Sequence, residues 1–560
     1  MLRWIPALTL TLFLAPVAAG LIGTILPSVG LMPALGGTTL TFSAWRELAE
    51  WPGIGTSVRL SLVTGLAATA ISLVIVFSCC ATCHGTRLFG TLRRIILPLL
   101  SVPHVAVAIG LAYLFAPSGW IARMISPWAT GWDLPPDLAT APDQYGLTYI
   151  IALVVKEVPF LLLMTISALG QTRATETLSI SRSLGYGPET AWLKTVLPLV
   201  YPQIRLPVLA VLAFSTSAVD VALILAPSNP PPLAPLVLRW FNDTDLTRHF
   251  LAAAGASLQL VIVIVAITIW YLFERIVIRV GRSWVTGGNR GRGGYIGPGT
   301  SIGAMTTVIF LGFVSLLGMA IWSLARRWRY PDSLPSEWTL GNWARQADSL
   351  AWPLWTTVSV GIAAAAVALA LVLGCLENEK RYGLQPTTRI LWLLYAPLLV
   401  PQVAFLFGGQ VLLSWSGFAG TWLALVWSHL LFVLPYIFLS LTDPFRKLDE
   451  RYVRSALCLG ASPTRTFWQV KMPMLLRPVL IALAIGFAVS VGQYLPTVFA
   501  GGGRYITLTT EAVTLAAGAD RRVVGVYVFL QAALPFIAFI IALGLPAWLY
   551  RNRRTLRVAQ

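Results

Sequence analysis

Twelve stretches of this 560-residue chain are apolar for long enough to cross a lipid bilayer. They cover roughly 4–26, 56–80, 95–116, 147–170, 201–225 and 250–273, then 301–324, 354–376, 389–413, 418–441, 475–500 and 525–549. A helix needs about 20 apolar residues to span a hydrocarbon core of about 30 Å. The runs therefore predict an all-α polytopic membrane protein. Composition agrees: 57% of residues are hydrophobic and only 11% are charged, where a soluble chain would carry about a quarter charged residues. The formal charge of +18 would suggest a nucleic-acid ligand in a soluble protein. In a membrane protein the placement of the charge matters more than its sum, and no nucleic acid is expected.

Placing the N-terminus in the cytoplasm puts 26 of the 40 Lys and Arg in inner segments and 11 in outer ones, with three in or beside spans. The positive-inside rule then favours both termini inside. The cluster Arg326, Arg327 and Arg329 is a local exception. The first run has no clear small-residue cleavage site and is read as a retained span. Segment 281–300 is rich in Gly and Arg and reads as a flexible linker. The resulting division is a first extra helix with its outer loop (1–55), a first domain (56–273), a cytoplasmic linker (274–300), a second extra helix with its outer loop (301–353), a second domain (354–551) and a tail (552–560).

An internal repeat connects the two halves. Segment 182–198, RSLGYGPETAWLKTVLP, and segment 457–473, LCLGASPTRTFWQVKMP, follow the fourth and tenth runs. At an offset of 275 residues Leu184 matches Leu459, Gly185 matches Gly460, Pro188 matches Pro463 and Pro198 matches Pro473, with Trp192 opposite Phe467. Gly185 and Gly460 can take positive φ and end a helix. Pro188 and Pro463 suit the first turn of the next one, and Pro198 and Pro473 mark entry to a span. Each loop is expected to be a helix–turn–helix at the cytoplasmic surface. Its aromatics, Trp192, Phe467 and Trp468, are expected to be exposed and to need a partner's cover.

The Gly, twelve residues, then Pro pattern resembles the EAA loop of permease subunits in binding-protein-dependent ABC importers. Two copies in one chain resemble the fused permeases for ferric iron, thiamine and similar cargo. Segments 220–242 and 493–515 are similar to the YnjC-type group. The resemblance implies two five-helix cores of the type I, MetI-like fold, each preceded by one extra helix and related by a pseudo-two-fold axis. It implies two copies of an ABC ATPase docked on the loops at Leu184, Gly185, Pro188, Trp192, Pro198, Leu459, Gly460, Pro463, Phe467 and Pro473. It also implies a periplasmic solute-binding protein and residence in the bacterial inner membrane. The chain departs from the pattern before each glycine. The family's acidic residue and paired alanines fall at Ser179, Ile180, Ser181 and at Arg454, Ser455, Ala456, and only Ala456 fits.

Ionisable residues inside spans are costly and suggest function. Asp220 lies in the fifth run, and its counterpart region in the second half is Gly492–Leu495. Asp220, Gln493 and Tyr494 are candidates for a translocation path carrying a small, cationic cargo. A structural Asp near the outer end of the helix is the other reading. Lys156 and Glu157 are expected to pair structurally with other helices or to snorkel, and His104 and His429 to be packing residues. Cys80-Ala-Thr-Cys83-His84 fits the haem c attachment pattern but lies at the cytoplasmic end of a span, where that haem is not attached. There is no G-x-x-x-x-G-K-[ST] phosphate loop and no catalytic grouping, so neither a cofactor nor an enzymatic site is expected, and ATP hydrolysis is assigned to a separate subunit. A secondary transporter of the major facilitator type, also 6+6, is the alternative, but it leaves the duplicated loops unexplained.

Overall fold

Backbone N–H and C=O groups cannot be left unpaired in hydrocarbon, and a helix satisfies them within one segment. The computed structural model, which describes residues 2–291, 297–384 and 395–551, is accordingly helical almost throughout. The first half contains α1 (Ile5–Ser28), α2 (Ile54–Cys83), α3 (Arg87–Ser101), α4 (His104–Phe115), α5 (Leu147–Gln171), α6 (Ala174–Ser183), α7 (Pro188–Ser217), α8 (Asp220–Leu225), α9 (Leu233–Phe241) and α10 (Arg248–Thr286). The second contains α11 (Pro298–Leu324), α12 (Gly341–Tyr382), α13 (Gln402–Trp415), α14 (Trp422–Arg446), α15 (Glu450–Cys458), α16 (Pro463–Met474), α17 (Leu476–Val491), α18 (Leu495–Gly501), α19 (Leu508–Ala516) and α20 (Arg521–Leu549).

Of the twelve expected spans, ten appear among the described residues as helices long and apolar enough to cross a membrane. An eleventh is the bent pair α16 and α17, which meet at 76°. The ninth, 389–413, is described only from residue 395, where it includes the shorter apolar helix α13. The third is displaced: Val102 and Pro103 separate α3 from α4, and the membrane-length segment is His104–Ile125. Arg326 and Arg327 lie in or beside a short antiparallel pairing of Ala325–Arg327 with Glu337–Trp338, and Arg326 pairs with Glu337 at 3.6 Å.

The 275-residue offset extends well beyond the loops. It relates both ends of α5 and α14 and the starts of α8 and α18 and of α9 and α19. The extra helices, however, cross between the halves. α1 packs mainly on α13 of the second half, and α11 lies between α20 of its own half and α4 of the first. Small residues make both crossings close. A Cβ added to Gly20 would lie 2.2 Å from the Phe405 carbonyl oxygen, and one on Gly408 would lie 2.0 Å from that of Gly20. The Gly408 N–H donates to Thr24 Oγ1 at 3.1 Å. A Cβ on Gly110 would lie 2.7 Å from the Ser315 carbonyl oxygen. Without a hydrophobic drive between helices in lipid, such backbone approach is what holds them together.

The linker differs from expectation. α10 continues as helix to Thr286, so 281–286 is not flexible chain. Residues 287–291 run against the first loop, and 292–296 lie outside the described residues, as does the tail 552–560.

Candidate functional site

Both loops form the expected turn. Gly185 and Gly460 each have φ of +85°. After α6, Gly185 N–H donates to Arg182 O at 2.9 Å and Tyr186 N–H to Ser181 O at 3.2 Å. After α15, Gly460 N–H donates to Leu457 O and Ala461 N–H to Ala456 O, both at 3.0 Å. These crossed bonds are the Schellman arrangement, which needs the left-handed glycine. Pro188 and Pro463 open the next helices. A π turn then follows in each, Trp192–Val196 and Phe467–Lys471. Pro198 and Pro473, with no N–H to give, sit just where the hydrogen-bond register changes. Both loops lie at the end of the bundle that holds the termini. The Tyr550 hydroxyl donates to Pro473 O at 3.1 Å, and the Arg3 guanidinium lies 4.5 Å over the Tyr382 ring.

Below this shared skeleton the loops differ. Trp192 was expected on the surface, but it is wholly buried. The turn aims it at α2, where its ring lies 5.9 Å from that of Phe77, in the same buried cluster as Cys79, Cys80 and Cys83. Burying an aromatic of this size is strongly favourable, and that wins over exposure. Phe467, at the matching position, is only half-buried, and Trp468 is 61% exposed. Leu184 and Leu459 are both exposed. Where the first loop is anchored by an aromatic, the second is anchored by ion pairs to the end of α12. Lys471 Nζ meets Glu377 Oε2 at 2.6 Å, Arg446 grips Glu379 with two bonds of 2.7 and 2.9 Å, and Lys380 meets Glu450 at 3.0 Å. The Lys380 ammonium, and then the Arg454 guanidinium, hold the Glu450 carboxyl below the usual carboxylate range. Arg446→Ala should destabilise the protein by about 1 kcal/mol, the scale of a partly exposed pair with good geometry. Arg446→Lys should recover only part of it, because lysine lacks the fork. Thermal unfolding in detergent measures both.

The second candidate region is where two helices break. α7 ends at Ser217 and α8 starts at Asp220, while α17 ends at Val491 and α18 starts at Leu495. Polar side chains take up the carbonyls that each break frees, as backbone inside a membrane requires. The Tyr149 hydroxyl reaches Ser215 O and Ala218 O at 3.5 and 3.4 Å, and Gln259 Nε2 donates to Thr216 O at 3.2 Å. In the second half Thr509 Oγ1 donates to Val491 O, and Gln531 Nε2 donates to Thr509 Oγ1 at 2.6 Å.

Asp220 at the first break and Tyr494 beside the second lie within electrostatic reach of one another across the halves. A Cβ on Gly492 would lie 4.0 Å from Pro103 Cβ, at the break between α3 and α4. Gln493 is half-buried and its carbonyl accepts from Thr497 Oγ1 at 2.9 Å. Asp220 is buried, and Tyr149, whose hydroxyl reaches the Ala218 carbonyl two residues before it, and His104 lie within electrostatic reach of it in its own half. His104 was expected to be a packing residue. Its side chain is instead about one-third exposed, and Nε2 lies 3.6 Å from Glu157 Oε1. Its ring rests on Phe214, centroids 4.8 Å apart. Tyr436 of the second half lies within electrostatic reach of Glu157. Glu157, His104 and Tyr149 thus join Asp220 and Tyr494, and the sequence reading had missed this grouping. The one available signal was that neighbours on a helix point to different faces. Lys156 does point away: its ammonium donates to Leu99 O at 2.9 Å and Val102 O at 2.5 Å, capping the end of α3. That is the structural pairing expected of it. His429 is a satisfied packing residue, bonded to Ser490 at 2.7 Å and Thr497 at 3.0 Å. Among the described residues no three His, Cys, Asp or Glu side chains converge as metal ligands.

Comparison with known proteins matches this architecture. Residues 369–554 match the family described as binding-protein-dependent transport system inner membrane component. Along most of its length the chain is similar to the inner membrane ABC transporter permease protein YnjC of Escherichia coli K12, at 31% identity over 524 residues, covering 92% of this chain and 93% of that one. It is also similar to the molybdenum transport system permease protein ModB of Haemophilus influenzae, at 27% identity over 195 residues, covering 32% and 82% respectively. The family match overlies the second loop, the one with the conforming Ala456 and the exposed short helix. A likeness running through both halves removes the single-chain secondary carrier from consideration: the chain belongs to the permease family of binding-protein-dependent ABC transporters.

Proposed function

We propose that the chain is the whole membrane path of an ATP-driven importer for a small cationic solute. The observation that carries this reading is the pair of helix breaks in the two halves, with Asp220 and Tyr494 within electrostatic reach across them and His104, 3.6 Å from Glu157, and Tyr149 near the Asp220 side. Broken helices at a repeat interface are where transporters place their cargo. Two carboxyls attract a cation, and tyrosine faces add cation–π attraction. Anions would be repelled by the same groups. Two ATPase subunits dock at the Gly185 and Gly460 loops, and a periplasmic binding protein delivers cargo on the opposite side. The termini are cytoplasmic and the membrane is the bacterial inner membrane. Domain closure of the ATPases moves the loops, and the two halves rock about the breaks. Because only the first half carries Asp220 and Glu157, the cargo meets an asymmetric site.

Proteoliposomes holding the permease and its ATPase test this with labelled thiamine, spermidine and ferric iron against molybdate and sulfate. Uptake confined to cations is expected. Asp220→Asn should lower that uptake about ten-fold, the factor that ~1.4 kcal/mol of lost charge interaction produces, with the protein amount in the membrane unchanged. Preference for the anions, or full uptake by Asp220→Asn, would refute the assignment.

A further inference from the structure

The loops share a backbone and yet present different surfaces. In the second, Thr464, Arg465, Trp468 and Gln469 of the short helix are all exposed. In the first, the matching Glu189, Thr190 and Lys194 are buried. The covering body is the chain's own linker. Lys194 Nζ donates to Gly287 O and Asn289 O, both at 2.9 Å, and lies 4.8 Å over the Trp284 ring. Gly187 N–H donates to Arg290 O at 3.0 Å, and Gly297 N–H to Glu189 Oε1 at 3.2 Å. A Cβ on Gly291, whose φ is +51°, would lie 2.1 Å from Thr190 Oγ1. The Arg290 side chain lies over Gly185, 3.5 Å from the place of a Cβ there, while Gly460 has nothing within 4 Å. A buried ammonium whose hydrogen bonds go to linker carbonyls gives the contact a strong reason to persist, because stripping those acceptors away leaves a buried charge unpaired.

We infer that the linker segment Trp284–Gly291 is a fixed clasp on the first loop, so that an ATPase meets a composite surface of loop rim and linker on one half and a bare short helix on the other. The inference rests on the reading of both loops as docking sites. Its chemistry follows from the exposed residues. The first surface offers Arg182, Leu184 and Arg290, and the second offers Leu459, Arg465 and Trp468. Two ATPase subunits of one sequence would therefore bind with unequal contacts, and the second loop supplies the larger aromatic anchor, the kind of residue that dominates binding energy.

Maleimide labelling of the full-length protein tests the clasp without the ATPase, in a Cys458→Ser background that removes the exposed native thiol. Arg465→Cys should label about ten-fold faster or more than Thr190→Cys, since a covered thiol reacts only through local opening. Adding Gly291→Val to Thr190→Cys should close most of that gap by ejecting the linker. Equal rates for Thr190→Cys and Arg465→Cys, or no response to Gly291→Val, overturn the clasp. With the ATPase bound, Arg290→Cys and Arg465→Cys should both be protected. Protection of Arg465→Cys alone overturns the composite surface. Protection of neither refutes the docking reading itself, and the composite surface with it, while the labelling without ATPase still decides the clasp.

Discussion

The double variant Gly185→Val, Gly460→Val should insert in the membrane normally, keep ATP hydrolysis by its partner, and lose coupled uptake. The two glycines have φ of +85°, a region that costs an L-residue about 1–2 kcal/mol and a β-branched one more. At Gly460 the cause is purely conformational, because there is open space around an added Cβ. The crossed bonds to Leu457 O and Ala456 O depend on that φ. Losing them lets α15 run on and swings Leu459, 88% exposed, away from its place on the rim. A shift of this size at each loop should lower uptake about ten-fold per loop, as ~1.4 kcal/mol per step implies. Gly460→Asn is the control, since asparagine tolerates the left-handed region better than valine. It should retain most of the uptake. The check is hydrolysis and uptake measured in the same proteoliposomes, and normal uptake by the double valine variant would sink the docking assignment.

Gly408→Val should separate the first helix from the second half and unfold the protein at a lower temperature. The added Cβ would lie 2.0 Å from Gly20 O and 2.6 Å from the Gly23 carbonyl carbon. Both are backbone atoms, so no rotamer change can relieve the clash. α1 must move away from α13, and the bond from Gly408 N–H to Thr24 Oγ1 is lost with it. Overpacking alone costs about 1–3 kcal/mol, and loss of a backbone crossing adds the close contacts that hold membrane helices together. Gly409→Val, one residue on, meets nothing within 4 Å and should be nearly neutral. Thermal unfolding in detergent separates the two. Equal midpoints for Gly408→Val and Gly409→Val would mean that this helix crossing contributes little.

The loop skeleton was legible in the sequence because it is set by local chemistry. A glycine that must adopt positive φ and a proline that must start a helix keep their meaning wherever the segment lies. Trp192 shows the limit of that reasoning. Its spacing placed it on a surface, but Phe77, more than a hundred residues earlier, offered a ring to pack against. Phe467 stands at the same point of the repeat but stays half-buried at the edge of the core, its ring 5.1 Å from that of Trp468. His104, Glu157 and Asp220 were each visible as unusual residues in apolar runs. Their meeting depends on how α4, α5 and α8 pack, and no spacing along the chain encodes it.

By itself, the sequence determined a membrane-spanning helical chain, its duplication at a 275-residue offset, and the turn at each loop. Those follow from hydrophobic length and from the backbone preferences of glycine and proline, which act within a few residues. Only the tertiary structure decided how each extra helix crosses between the halves, which polar groups come within reach across the two breaks, and that the linker covers one loop and leaves the other bare. These depend on close approach between distant segments, at Gly20 and Gly408 or at Gly291 and Thr190, where the space left by an absent Cβ is filled by a partner that the local sequence does not name.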